Sequence, residues 1–255
     1  MTLQTRVEDG SHMFLYKNRI VITGGTGRFG QELKRTKNKN KYQLFFPSKN
    51  QLNILKKNSI KNYLKQKKPK YLIHLAGLSR PMNLHDKLIE KSISLNIIGT
   101  ANITQICSSF GIKLIYFSTS YVYPGSKGNY KENDPVLPIN SYAWSKLGGE
   151  SAVQMYKNSL ILRVSMTEKP FVHKKAFSDF VTNFIFHEEL AKNLFRLINK
   201  KGIINFGGKI QNVYQFAKKY NPNIKKISAK KILGKKFPLN PSMNINKFKK
   251  IIKSS

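Results

Sequence analysis

The chain is expected to be an α/β protein, a doubly wound parallel sheet with a small C-terminal lobe. Three observations predict this. Short β-branched or aromatic runs alternate with longer amphipathic runs through the first half. A glycine-rich turn, TGGTGRFG, joins the first of these strands to the first helix. Hydroxyl residues gather at the end of the fourth strand, in YFSTSYVYPG.

In order, RIVITGG (19–25) reads as a strand ending in glycines, and RFGQELKRT (28–36) as the helix that follows. YQLFF (42–46) is the second strand and NSIKNYLKQKK (58–68) its helix. KYLIHLAG (70–77) is the third strand, and 87–111 reads as one long helix ending at a glycine. KLIYFSTS (113–120) is the fourth strand, 142–156 a helix, and NSLILRVS (158–165) the fifth strand. Such alternation implies right-handed crossovers, helices on both faces, and ligands beyond the carboxyl ends of the strands. After residue 165 the pattern loosens. HEELAKNLFRLINK (187–200) reads as a helix, GIINFGG (202–208) as a short strand, QNVYQFAKKY (211–220) as a helix, and the remainder as Lys- and Pro-rich. The expected organisation is an expression tag over 1–12 (GSHM resembles a cloning scar, with Met13 as the native start), a dinucleotide-binding domain over 13–165, and the remaining sheet elements with a small basic lobe over 166–255.

The 255 residues suffice for one large domain, and 40% hydrophobic residues support a sizeable core. No apolar run approaches the roughly 18 residues that span a bilayer, and the first residues do not read as a signal peptide, so a cytoplasmic location is expected. The single cysteine, Cys107, reads as a small core residue. Five scattered histidines give no metal-binding cluster, and no metal is expected. The net charge of +34 points to polyanionic partners, and no Asp or Glu follows Glu189. No zinc finger, aromatic RNA-binding signature or DNA-reading helix pair is recognisable, so specific nucleic-acid binding is not expected. Compositional bias plus attraction of a small anionic ligand accounts for the charge.

Gly24, Gly27 and Gly30 set a Gly-x-x-Gly-x-x-Gly spacing between strand and helix, which lets a backbone approach a pyrophosphate at a helix N-terminus. Arg28 and Phe29 lie inside that turn. At the second strand's end, where an NAD site usually carries an acid, the run FFPSKNQLN has Ser48 and Lys49. Lys49, with Arg28, suits a ribose 2′-phosphate and therefore NADP; as one of many lysines, it also reads as a solvated side chain, and NAD stays open. Tyr142 and Lys146, four residues apart in SYAWSK, share one helix face. Alone, that spacing fits two surface residues as well as a proton donor with its electrostatic helper.

A hydroxyl at the fourth strand's end, followed by Tyr-x-x-x-Lys and preceded by the glycine turn, resembles the short-chain dehydrogenase/reductase superfamily. HLAGLSRPM, LNIIGTANI, STSYVYPG, NYKENDPVLPINSYAWSKLGGE and FIFHEELAKNLFRLI further resemble the dTDP-4-dehydrorhamnose reductase branch of its extended, nucleotide-sugar-modifying members. The likeness covers most of 19–200. It implies a Rossmann-like fold with a small C-terminal substrate lobe, and NADP-dependent reduction of a 4-keto nucleotide-diphosphate sugar by a cytoplasmic enzyme, with a homodimer as a possible assembly. By position it makes Thr119, Tyr142 and Lys146 the catalytic set. It places Leu75, Ala76 and Gly77 (with His74 before them) along the cofactor, Asn53 near the adenine, and Asn96 near the active-site strands. Ser120, Tyr121, Arg80, Thr167 and His173 are assigned to substrate. His173, Lys174 and Lys175 read equally well as solvated loop residues.

The residue types suit the chemistry. A lysine ammonium and an oxidised nicotinamide both favour phenolate, lowering a tyrosine pKa from near 10. Thr119 would hydrogen-bond the substrate carbonyl. Ser120 stands where relatives carry Asp, which puts that acid's role in doubt. Ser120 and Tyr121 replace the Asp-Glu of 4,6-dehydratases, and Tyr121 replaces the Cys of GDP-fucose synthases. Only about twenty residues separate the fifth strand from His187, which predicts a sugar site that is open, completed by another subunit, or adapted to an unusual substrate. An NAD-retaining epimerase and a nonenzymatic cofactor-binding regulatory subunit remain as alternatives.

Overall fold

The computed structural model describes residues 18–36 and 42–254. The expected tag over 1–12, and Met13, lie outside the described residues. Six parallel strands form the central sheet: β1 (Arg19–Thr23), β2 (Gln43–Phe45), β3 (Tyr71–His74), β4 (Lys113–Thr119), β5 (Ser159–Val164) and β10 (Gly202–Phe206). Their spatial order is β10-β5-β4-β3-β1-β2. The chain leaves β1 for β2 on one side and returns to β3 on the other, so the order reverses between β1 and β3. A crevice opens there beyond the strand ends. The expected doubly wound parallel sheet is borne out.

The strands read as nearly continuous apolar runs because both faces are covered. Alternate side chains point to opposite faces. Ile20, Ile22, Ile73, Phe117, Leu160 and Ile204 meet α1 (Arg28–Arg35) through Phe29 and Leu33, and α7 (His187–Leu197) through Leu190, Leu194 and Leu197. On the other face Val21, Leu72, Leu114, Tyr116 and Ile161 meet α2 (Lys57–Lys67) and α5 (Gly99–Phe110), where Cys107 is fully buried. Helix α6 (Ser141–Gln154) is capped by Asn140, whose side chain accepts from the Ala143 amide at 2.8 Å.

The long helix expected over 87–111 is interrupted. A short helix α3 (Leu84–Lys87) ends at Leu88, and from Ile89 the chain stays helical to Phe110 as α4 (Ile89–Ser92), a π-helical segment (Ile93–Ile98) and α5. The apolar pattern is continuous, but tertiary contacts decide the backbone. The π segment turns Asn96 inward onto the loop after β3 and onto α6, and widened turns of this kind recur at functional sites. Gly149 of α6 makes that approach possible, since a Cβ there would lie 2.5 Å from the Asn96 carbonyl oxygen.

After β5 come short strands β6 (Met166–Thr167), β7 (Lys175–Phe177), β8 (Val181–Thr182) and β9 (Ile185–Phe186). The Lys- and Pro-rich remainder holds further elements that the sequence pattern did not reveal. These are β12 (Lys225–Ile227), α9 (Ala229–Leu233) and α10 (Asn246–Lys253), while the helix expected over 211–220 is present as α8 (Val213–Lys218), preceded by β11 (Gln211–Asn212). Phe171, Phe180, Phe186, Phe216 and Ile224 form a separate apolar cluster beneath α8 and β12. Helix α10 instead covers the main sheet, with the Phe248 ring 4.3 Å from that of Phe206. Among the described residues no helix is long and apolar enough to cross a membrane.

Among the described residues one ion pair is wholly buried. Arg163 of β5 meets the Glu150 carboxylate of α6 through Nη2 and, at 3.2 Å, Nε. Ser118 Oγ donates to the same carboxylate at 2.6 Å. Arg163 also donates to the Tyr123 hydroxyl at 2.8 Å, and that hydroxyl to Asn205 Oδ1 of β10 at 2.8 Å. Removing one partner strands an uncompensated buried charge. Glu150→Ala is therefore expected to cost about 3–5 kcal/mol in urea denaturation, with Glu150→Gln costing less because its carbonyl oxygen still accepts from Arg163 and its amide NH2 can donate to the Ser118 hydroxyl.

Candidate functional site

A cleft of about 960 Å³ runs along the carboxyl ends of β1, β3, β4 and β5. Its first wall is the glycine turn. Gly24 adopts φ +73°, and a Cβ there would lie 2.6 Å from the Ala76 amide nitrogen, so two loops meet where only glycine fits. Gly27 precedes α1 with no side-chain cap on the helix's first amides, and no acid occupies the first turn. Free amides, a positive helix end and a close backbone cradle suit a pyrophosphate. Phe29 lines the cleft while packing on Phe117 and His187, at 5.2 and 5.7 Å between ring centres.

Gly24, Gly27, Arg28, Phe29, Gly30, Lys49, Asn53, Leu75, Ala76 and Gly77 all line this cleft. Asn53 is held in place by a local turn, its Oδ1 accepting from the Leu55 amide at 3.0 Å. Lys49 is exposed and has no ion-pair partner among the described residues. Three residues expected at the cofactor do not line the cleft. Ser48 faces its own turn, where its hydroxyl accepts from the Gln51 amide at 3.4 Å. Asn96 lies one layer behind. It accepts from the Leu78 amide at 2.7 Å and donates to the Leu78 carbonyl at 2.9 Å and to Ser145 Oγ at 2.8 Å. It thereby pins the loop after β3 to α6. His74 is also behind the wall, with Nδ1 2.8 Å from Thr23 Oγ1 and Nε2 3.1 Å from Thr100 Oγ1, and burial lowers its pKa to about 3. It joins the ends of β1 and β3 as a neutral ring.

Further along, Thr119, Tyr142 and Lys146 line one stretch of wall. Thr119 ends β4 and caps the following 3₁₀ turn (Ser120–Val122), its hydroxyl accepting from the Tyr121 amide at 3.3 Å. Tyr142 and Lys146 come from the first two turns of α6. Enclosure pushes the Tyr142 phenol up to about 12, with Tyr121 adding to the rise. Arg80 and a hydrogen bond with Thr119 oppose it. Lys146 sits over the Tyr116 ring, 4.3 Å from its centre, and enclosure brings its ammonium down to about 7 against the pull of Glu150. The lowered tyrosine pKa expected from the sequence is therefore not a property of the protein groups alone, because desolvation outweighs the nearby cations.

Ser120, Tyr121, Arg80, Thr167 and His173 line the same cleft. Lys174 and Lys175 do not; Lys175 begins β7 and the Lys174 carbonyl accepts from the Lys225 amide at 3.1 Å. The sequence reading missed Met82, Phe171, Phe184 and His187, which also line the cleft, and Glu168, which bridges Arg28 and Arg80 beside it. Glu168 is one of only 12 acidic residues in a +34 chain, and that scarcity was the available signal.

With this geometry established, the profile of the RmlD substrate binding domain family matches residues 18–195. The chain belongs to that family. Like the fold, the family resemblance read from the sequence is borne out. Among solved structures, this RmlD-family chain is similar to the dTDP-4-dehydrorhamnose reductase of Bacillus anthracis str. Ames in complex with NADP, with a TM-score of 0.81, 22% identity and 91% of each chain covered. It is also similar to the dTDP-4-dehydrorhamnose reductase of Yersinia enterocolitica, with a TM-score of 0.73, 26% identity and 89% of each chain covered. Among curated proteins it is 30% identical to methionine adenosyltransferase 2 subunit beta of Xenopus laevis over 154 residues, which is 57% of this chain and 46% of that one. The chain spans about half the length of the curated relatives it matches.

Asn96→Ala removes three hydrogen bonds that no other described group replaces. It is expected to cost roughly 2–3 kcal/mol in urea denaturation and to loosen α6 against the loop after β3. Faster amide hydrogen exchange at Leu78 and in the first turn of α6 would register that loosening.

Proposed function

We propose that this chain is an NAD(P)-dependent reductase of a 4-keto nucleotide-diphosphate sugar, with NADP preferred. The observation that carries the reading is one continuous cleft, with a glycine cradle at one end and Thr119, Tyr142 and Lys146 grouped further along. Family membership and the reductases named above support it. The uncapped α1 amides with Gly24, Gly27 and Gly30 would hold a pyrophosphate, Lys49 and Asn53 the adenosine end, and Lys146 the nicotinamide ribose. When bound, the nicotinamide supplies a hydride to the carbonyl carbon of the substrate.

The chain's own residues do the rest. Thr119 donates a hydrogen bond to the carbonyl oxygen and stabilises the charge that develops there. Tyr142 gives that oxygen its proton. With its pKa near 12, the phenol is fully protonated through the neutral range and is already in the donor state for reduction. The reverse oxidation needs the phenolate. Reduction is therefore expected to be unaffected by Tyr142 titration between pH 6 and 8 and to decline only as the Lys146 ammonium, brought down to about 7, loses its proton. The phenolate needed for oxidation of the corresponding 4-hydroxy sugar instead becomes more available as pH rises. Tyr142→Phe keeps the ring and removes the proton; single-turnover hydride transfer is expected to slow by about 100-fold or more with little change in NADPH affinity. Full activity in that variant would sink the mechanism.

Cofactor choice has a separate test. Glu168 lies 2.9 Å from Arg28, whereas Lys49 has no ion-pair partner among the described residues, so Lys49 is the cation assigned to a ribose 2′-phosphate. NADPH is expected to bind more tightly than NADH by calorimetry at moderate salt, and Lys49→Glu should narrow or reverse the difference. Equal affinities in the parent protein would defeat the assignment.

A second reading is favoured by one observation: the curated relative described above is named as a subunit of a methionine adenosyltransferase. On this reading the chain is a cofactor-binding subunit of a larger enzyme. NADPH binding without turnover on any 4-keto nucleotide sugar would favour it over the reductase.

A further inference from the structure

A charged constellation outside the Thr119–Tyr142–Lys146 set joins three segments of the cleft wall. Arg28 opens α1 at the glycine turn, Arg80 lies in the loop after β3, and Glu168 follows β6. Glu168 Oε1 is 2.9 Å from Arg28 Nε, and its Oε2 is 3.2 Å from Arg80 Nη1. Arg80 Nη2 also donates to the Met166 carbonyl at 3.4 Å, which keeps that guanidinium against β6. The carboxylate is 18% exposed, so it is more enclosed than either arginine, at 62% and 37%. His187 stands beside the three, and burial lowers its pKa to about 4, leaving it neutral at pH 7. Two guanidiniums thus share one carboxylate, and the group carries a net single positive charge.

A guanidinium binds phosphate by the same forked donors that bind a carboxylate. Arg28 borders the uncapped amides where a ligand phosphate would settle, and Arg80 lines the same cleft. Each arginine retains N–H donors without a protein partner among the described residues. We propose that Glu168 is a specificity-determining residue, a built-in anion that clasps Arg28 to Arg80 beside the cleft they line and that a ligand phosphate displaces. The arginines stay neutralised until a group that competes with a carboxylate arrives. A dianionic phosphate does so through charge, whereas an uncharged sugar or nucleoside does not. The proposal rests on reading the cleft as a dinucleotide and nucleotide-sugar site.

The test is calorimetry on the full chain with NADPH and, separately, inorganic pyrophosphate, at low and high salt. Glu168→Gln keeps size and hydrogen-bonding shape while removing the competing charge. It is expected to tighten both ligands by about three- to tenfold at low ionic strength, with the gain fading at high salt. Glu168→Asp, too short to span both arginines, should give an intermediate gain. In an Arg28→Gln, Arg80→Gln background the gain should fall below twofold, because there is no clasp left to open. Glu188→Gln, which removes a nearby acid outside the clasp, should leave both affinities unchanged.

An unchanged or weaker pyrophosphate affinity in Glu168→Gln, with a melting temperature like the parent's, overturns the proposal. So does an undiminished gain in the double-arginine background, since that would be a general field effect. Failure of the parent protein to bind NADPH would instead sink the dinucleotide reading, and the pyrophosphate comparison would still decide the clasp.

Discussion

The Glu150 carboxylate is the point on which the arrangement of the cleft depends. It lies on α6 one turn beyond Lys146 and two beyond Tyr142, and it is fully buried against the sheet. Ser118, the residue before Thr119, donates to it from β4, and Arg163 donates from β5. One group therefore fixes the helix carrying two candidate catalytic side chains relative to the strand carrying the third. Burying an ion pair is a poor source of net stability. Its value here is geometric, because a sliding helix would leave the Arg163 charge unpaired. The network continues through Tyr123 to Asn205 on β10, so the alignment reaches the edge of the sheet.

The electrostatics of the cleft are local and differ from the overall charge of +34. Near Tyr142 and Lys146, desolvation dominates, holding the phenol protonated and weakening the ammonium. Toward the glycine turn, Glu168 offsets two guanidiniums. The diffuse positive charge lies elsewhere, on exposed lysines of α8, β12 and α9, among them Lys218, Lys225 and Lys230. Such a surface raises the concentration of an anionic ligand near the protein. Orientation is left to the cleft, where few charges are close enough to select one geometry.

Asn96 and His74 show how a motif residue can be recognised with its role mislocated. Both lie in stretches that resemble the family, LNIIGTANI and HLAGLSRPM, and both were expected near the ligand. In the fold each supports the wall from behind, Asn96 through three hydrogen bonds and His74 between two threonines. A backbone that must approach a ligand closely needs such backing, and a buried polar side chain that satisfies main-chain groups supplies it. The side-chain types are the same for either role, so the linear sequence does not separate them.

The amino-acid sequence by itself determined the alternation of strands and helices, the glycine turn after β1, and the candidate Thr119, Tyr142 and Lys146. Each is a local pattern: period-two and helical hydrophobicity, glycines at a fixed spacing, and two residues one helical turn apart. Only the tertiary structure decided the rest. The helix over 87–111 breaks into a π segment because Asn96 has partners far along the chain. Phe248 makes α10 part of the core by meeting Phe206, although NKFKKIIK reads as another Lys-rich stretch. The clasp joins residues 28, 80 and 168, and no local pattern links positions so far apart. Contacts of that kind depend on which surfaces the folded sheet brings together, and their energy belongs to the assembled packing rather than to any single segment.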